Sequence, residues 1–255
     1  MKLQLAQNNL VVLPGIDGSG SLLTTFANAL PPEFSVTAVT YPAEEALTYD
    51  DLVPRVREAM PWGKPYTIVA ESFAGPLALK FVTLHPSNVQ AVILVSSFVV
   101  NPLPTMLKWA TGFLKARWWQ KALPEQVLRK FFVGEDATPA LMDQFNTALK
   151  AVKPAVLAHR VKSALDTNAR ATLKTCPVPI YYLLGKRDAL VGKRGWAEIK
   201  RSRPDAKCTA IDGPHMLLET RPRESAIAVG DIVKNLQDQA RIALASSPMA
   251  AAHSR

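Results

Sequence analysis

Three side chains have the types and the order for covalent acyl chemistry: Ser72, Asp188 and His215. Ser72 sits in Ala70-Glu71-Ser72-Phe73-Ala74, with small residues two positions before and two after it. A short apolar run ends at Ala70 and an apolar-periodic run begins at Phe73. The serine therefore falls at a sharp turn from strand to helix, the pattern of a nucleophile elbow. Only small side chains fit where strand and helix nearly collide, and the first N–H groups of the helix point back at the serine. Pro76 suits the first helical turn, because the N–H it lacks has no partner there. A serine before a helix is also a common N-cap, so the elbow needs partners before it means anything.

A serine nucleophile needs a base to take its proton, an acid to orient that base, and donors for the oxyanion. The apolar run Ile180–Leu184 leads into GKRDALV, which puts Asp188 in the loop after a strand. The run Cys208–Ile211 leads into DGPHMLLE, which puts His215 in the loop after the next one. All three groups thus leave the carboxyl ends of strands. The rival histidines do not: His85 ends the elbow helix, His159 lies in a later helix and His253 in the tail. Asp212 closes a strand and suits turn hydrogen bonds. Asp166 is an alternative acid, and Glu71 is a buried or rim carboxylate without a catalytic role. The first strand ends in LPGIDGSG, residues 13–20, whose glycines let the backbone approach a ligand closely. The expected oxyanion donors are the backbone N–H groups of Phe73 and Ile16. Asp17 is expected to brace the loop or to touch substrate.

The elements that must position these groups alternate along the chain. Strands are expected at Leu10–Leu13, Val36–Thr40, Thr67–Ala70, Ala91–Ser96, Ile180–Leu184 and Cys208–Ile211. Most are continuously apolar and β-branched, as in a parallel sheet covered on both faces. Helices are expected at Ser21–Leu30, Asp50–Met60, Phe73–His85, Lys193–Arg201 and Arg223–Arg241. The alternation predicts an α/β fold with a doubly wound, mostly parallel sheet. Strand signals vanish over residues 101–175, where helices are expected at Met106–Ala116, Glu125–Phe132, Pro139–Val152 and Ala155–Leu165. An insertion there lies over the carboxyl ends of the strands, where a lid would sit. Its aromatics concentrate at Trp109, Phe113, Trp118, Trp119, Phe131 and Phe132. Trp109, Phe113 and Trp118 are expected to line the substrate site, and Phe131 and Phe132 to form the insertion's own core. The expected divisions are a core of residues 1–100 and 176–240, a helical lid at 101–175 and a flexible tail at 241–255.

Composition narrows the classes. A chain of 255 residues, 48% hydrophobic and 20% charged, suits one compact domain. No apolar run reaches the roughly 18–20 residues of a membrane span, and MKLQLAQNNLVVLPG lacks the apolar stretch of a secretory signal. A cytoplasmic location is therefore expected, with Cys176 and Cys208 reduced. The net charge is +9, but the basic residues are dispersed rather than gathered in a stripe. Nucleic-acid binding is not expected, and attraction to an acidic partner is a secondary reading. The cysteines lack metal-ligand spacing, and the glycine-rich loop matches neither a dinucleotide nor a P-loop pattern. No metal or organic cofactor is expected.

These motifs resemble the α/β-hydrolase superfamily over nearly the whole chain. LPGIDGSG stands where many members carry a His-Gly oxyanion loop, with Pro14 at the histidine position. AESFAG replaces the more frequent G-x-S-x-G, and GKRDALV and GPHMLLE are similar to the acid and histidine motifs of the capped branch. The loop and elbow together resemble bacterial hydrolases and the hydrolase-like part of plant phytyl ester synthases. The capped layout also resembles the carrier-protein methyl ester esterases. The resemblance implies a serine esterase acting through Ser72, His215 and Asp188, and the aromatic-rich insertion over residues 101–175 adds the expectation of short-to-medium acyl esters. It leaves open an acyltransferase or thioesterase with the same triad, an acidic acyl-carrier partner, and more remotely a non-catalytic binding protein. Serine rather than aspartate at the elbow argues against chemistry that needs a carboxylate nucleophile.

Overall fold

The computed structural model describes residues 8–102, 124–135 and 137–245. Six strands, β1 (Asn8–Leu13), β2 (Phe34–Ala38), β3 (Tyr66–Glu71), β4 (Val89–Val95), β5 (Ile180–Gly185) and β6 (Lys207–Ile211), form one sheet. Their order is β2-β1-β3-β4-β5-β6, and every pairing is parallel. The chain steps from β1 outward to β2, then returns across β1 to β3. The direction of winding reverses there, and the crevice at the carboxyl ends of β1 and β3 is the switch point. All six residues of β3 and of β5 are buried, as continuous apolar runs require in a sheet covered on both faces.

Alternating side chains divide the core. On one face Val11, Leu13, Ile68, Leu94 and Tyr182 pack with α2 (Tyr49–Glu58), α3 (Ala74–Leu84) and α8 (Gly192–Ser202). On the other Leu10, Val12, Val69, Ile93 and Leu183 meet α1 (Thr24–Ala29), α9 (Leu217–Thr220) and α10 (Pro222–Ala245). The start of α2 is fixed by a capping box: the Thr48 side chain accepts from the Asp51 N–H, and the Asp51 carboxylate accepts from Thr48.

The chain between β4 and β5 leaves and rejoins the core at one place, where Val100 pairs antiparallel with Asn168. Its described part is helical: α4 (Glu125–Leu128), α5 (Pro139–Lys150), α6 (Pro154–Asp166) and α7 (Arg170–Thr175). Leu128, Val133, Met142 and Phe145 form a separate cluster that reaches Leu22 and Met216 of the core. The single helix expected over Glu125–Phe132 stops at Leu128. A wide turn of π geometry follows, Arg129–Val133, closed by the Gly134 N–H on the Arg129 carbonyl at 2.7 Å. Helices α7 and α9 have only six and four residues, too short for a periodic signal. The last helix runs on to Ala245, past the expected end at Arg241, because Ala, Ile and Leu in RIALA sustain it. The expected helix Met106–Ala116 lies outside the described residues, with Trp109, Phe113, Trp118 and Trp119. Among the described residues no helix is long and apolar enough to cross a membrane.

Candidate active site

Ser72 follows β3 directly and takes a left-handed backbone conformation, with φ of 49°. A non-glycine residue held there stores on the order of 1–3 kcal/mol and persists only where its surroundings over-determine it. Those surroundings are specific. The Ser72 N–H donates to the Val95 carbonyl at 2.9 Å, and the Ser72 carbonyl accepts from the Ser97 hydroxyl at 2.6 Å and the Gly75 N–H at 3.2 Å. Ala70 and Ala74 are fully buried, as the small-residue pattern requires. The tightest approach is at Gly75, where an added Cβ would stand 2.0 Å from Ser97 Oγ.

The Ser72 hydroxyl lies 2.8 Å from His215 Nε2. His215 Nδ1 in turn lies 3.0 Å from Asp188 Oδ2. The imidazole is 2% exposed and the Asp188 side chain is fully covered. The other Asp188 oxygen accepts from the N–H groups of Leu190 (2.8 Å) and Val191 (3.0 Å). Burial pushes the Asp188 carboxyl up, but the neighbouring His215 and the backbone donors at Val191 and Gly192 outweigh it. The group ends below the usual aspartate range. It is therefore an anion at neutral pH, fit to hold the imidazole by its Nδ1–H and leave Nε2 free to accept from the serine.

The acid and histidine loops brace each other. The Lys186 N–H donates to the Ile211 carbonyl and the Arg187 N–H to the Gly213 carbonyl, at 2.8 and 3.0 Å. Arg187 also pairs with Asp212 at 2.7 Å, so the Asp212 carboxylate ties the two loops together by an ion pair rather than by the turn bond expected of it. The insertion reaches this loop too. The Met216 N–H donates to the Phe132 carbonyl at 2.9 Å, and the Phe132 ring stands edge-on to the His215 ring at 5.9 Å. Phe132 also contacts Phe145 at 5.6 Å, so it belongs to the insertion's core, as expected, and to the surface over the histidine as well.

The two backbone N–H groups expected as oxyanion donors lie in the loops that follow β1 and β3. Among the described residues neither the Phe73 N–H nor the Ile16 N–H meets an acceptor. The Phe73 ring is stacked on Tyr49 at 4.8 Å and lies edge-on to Tyr41 at 6.1 Å, and Tyr49 Oη donates to the Phe73 carbonyl at 3.0 Å. Asp17 is buried, and its Oδ2 accepts from the Ser19 N–H at 2.9 Å and the Ser19 hydroxyl at 2.6 Å. That is the bracing arrangement of the two expected for it.

The rivals stand apart. Asp166 is exposed and ion-paired with Lys162. His85 caps the end of α3 beside Phe81, and His159 lies on α6. Glu71 is 4% exposed and faces Glu219 of α9, with a long bond of 3.5 Å from the Leu218 N–H. Burial drives both carboxyls up, Glu219 to about 8, and the Glu219 charge adds to the rise at Glu71. Three contributors carry no motif that marks them in the sequence. Ser97 supports the elbow, Phe132 covers the histidine, and Arg160 reaches the loop at Ile16 from α6.

Residues 10–222 match the family model of the alpha/beta hydrolase fold. The chain belongs to that family. Among curated relatives, the pimeloyl-[acyl-carrier protein] methyl ester esterase of Aromatoleum aromaticum is 25% identical over 182 residues, covering 64% of this chain and 72% of that protein. Among solved structures, an esterase from Exiguobacterium antarcticum superposes with a TM-score of 0.77 at 16% identity, covering 90% of this chain and 92% of that one. A bromoperoxidase from Bacillus anthracis gives 0.75 at 15% identity, covering 89% and 92%. At such identities the structural likeness speaks for the fold.

Proposed function

We propose that the protein is a serine esterase acting on short-to-medium acyl carboxylic esters. The observation that carries this reading is the continuous contact from Ser72 Oγ through His215 to Asp188, with the serine on a strained turn. In the proposed reaction Ser72 attacks the acyl carbonyl as His215 Nε2 takes its proton. The N–H groups of Phe73 and Ile16 hold the oxyanion, while Asp188 holds the imidazole and stabilises its cation. His215 returns the proton to the leaving alcohol. Water, deprotonated by the same histidine, then releases the acid. Residues 101–175 are read as a cap over this site, with Trp109, Phe113 and Trp118 as its candidate substrate contacts. Phe132 beside His215 supports that placement.

The test is turnover of a p-nitrophenyl ester series by the parent and by Ser72→Ala, His215→Ala and Asp188→Asn. Each variant is expected to fold and to lose about 10³-fold or more in kcat. Near-parental turnover by Ser72→Ala would end the reading. Partition of the acyl group between water and added alcohol separates hydrolysis from acyl transfer.

A carrier-linked acyl ester is the second reading. It is favoured by the curated relative's substrate and by a recess of about 750 Å³ beside the histidine loop, whose lining carries Arg129, Lys130 and Arg187 against the carboxylate of Glu135, although Arg129 and Arg187 are also paired with Glu125 and Asp212. Such a surface suits an acidic carrier, and a salt-sensitive preference for carrier-linked over free methyl esters is its signature.

A further inference from the structure

The loop Pro14–Gly18 has every backbone carbonyl engaged. Pro14 accepts from Tyr41 Oη at 3.3 Å, Gly15 from the Gly18 N–H at 3.2 Å, and Gly18 from the Tyr41 N–H at 2.8 Å. The two between, Ile16 and Asp17, both accept from Nη1 of Arg160, each at 2.8 Å. Arg160 Nη2 donates to the Pro42 carbonyl at 2.9 Å. The guanidinium thus ties three carbonyls from two loops, and it does so from α6, far along the chain.

This is an unusual use of a charge. Arg160 is 2% exposed, and among the described residues no carboxylate forms an ion pair with it. Burying a cation is costly unless every donor is well used. Here the compensation comes from backbone oxygens, from the Tyr41 ring, whose centroid lies 5.6 Å from the guanidinium carbon, and from the charge of the nearby buried Asp17 carboxylate, which favours the cation. The site is built closely around it. Gly18 has φ of 69°, and a Cβ there would stand 2.7 Å from both Arg160 Nη1 and Tyr41 Cδ2.

We propose that Arg160 is a positioning residue for the oxyanion loop, fixing the peptides around Ile16 so that its N–H is held ready for the developing negative charge. The proposal rests on the serine esterase reading. The Gly15 carbonyl shares a rigid plane with the Ile16 N–H and is held by Gly18. The Ile16 carbonyl on its other side is held by Arg160. With both neighbouring peptides fixed, the N–H has one direction. A donor fixed in advance needs no reorganisation in the transition state, which is where an oxyanion hole gains its strength. Lysine cannot replace it: one ammonium does not span three carbonyls in a planar fork. Because α6 belongs to the insertion, the oxyanion loop takes its shape from the insertion as well as from the core.

The test compares Arg160→Met and Arg160→Lys with the parent. Met keeps the unbranched apolar stem and removes the guanidinium, and kcat is expected to fall about 10- to 100-fold with KM changed by less than about threefold. Affinity for a trifluoromethyl ketone, which forms a tetrahedral adduct, falls in parallel. Lysine recovers only a minor part of the loss. In Arg160→Gly, guanidinium ion at tens of millimolar restores kcat while methylammonium does not. Amide exchange over residues 14–20 quickens in each variant. A Met variant that melts lower but keeps kcat and ketone affinity overturns the proposal, and so does unchanged exchange over the loop. If Met does not fold, the lysine variant carries the same comparison. If the parent itself shows no Ser72-dependent ester turnover, it is the esterase reading that fails, and exchange alone then decides whether Arg160 holds the loop.

Discussion

The strain at Ser72 is maintained by a neighbour rather than by the elbow's own side chains. Ser97 Oγ donates to the Ser72 carbonyl and occupies the space above Gly75. Ser97→Ala removes that bond, which is expected to cost about 0.5–1.5 kcal/mol and to lower kcat as the serine loses its fixed direction. Gly75→Ala drives a methyl into the hydroxyl and is expected to cost more, about 1–3 kcal/mol. The double variant should lose less than the sum of the two, because removing the hydroxyl relieves the closest contact. Urea melts of the four proteins measure this directly; strict additivity would mean that the two residues do not share the space. At this scale the sequence was informative about groups with a motif. Ser72, Asp188 and His215 each follow a strand in a recognisable string, and the structure brings the three into contact. Ser97 and Arg160 act through backbone carbonyls, and a carbonyl partner leaves no trace in residue type.

Between the elements, the Glu71–Glu219 pair links the end of β3 to α9, and so the serine's strand to the histidine's loop. Both carboxyls are held well above the ordinary glutamate range by burial. Over the interval from about 4.5 up to about 8 the folded state therefore keeps protons that the unfolded chain releases. The pair's contribution to stability is then largest below that interval and falls as pH rises through it. Melting temperatures from pH 5 to pH 9 should decline more steeply for the parent than for Glu219→Gln, and least for Glu71→Gln with Glu219→Gln. Parallel curves would show that the pair does not titrate in this range. The six strands were legible to within two residues, the four inner ones because a buried parallel strand is a continuous apolar run with sharp ends. Short helices were not: α7 and α9 are set by packing, and the π turn after Leu128 interrupts a pattern that reads as one helix.

For the whole molecule, the insertion is proposed as the cap over the site. Phe132 lies against both His215 and the insertion's core, and on the proposed esterase reading it would border the acyl pocket. Phe132→Ala is expected to move the preferred acyl length upward by one or two carbons. Within the pocket each methylene is worth about 0.8 kcal/mol, roughly fourfold in kcat/KM. A lower melting temperature with an unchanged length profile would make Phe132 scaffold alone. The alternation of strands and helices made the architecture legible, whereas the packing of the insertion depends on contacts distant in sequence. The chain also places His215, the proposed base, near the margin of the sheet. Among the described residues β6 is bonded only to β5, and four of its five residues are exposed. Such an edge is where a fold opens first, in small excursions that leave the central strands intact. His215 hangs from that strand, so warming or dilute urea should silence the protein while its circular dichroism still reads native. Its working life would then be governed by the fraying of one border strand and not by the melting of the domain.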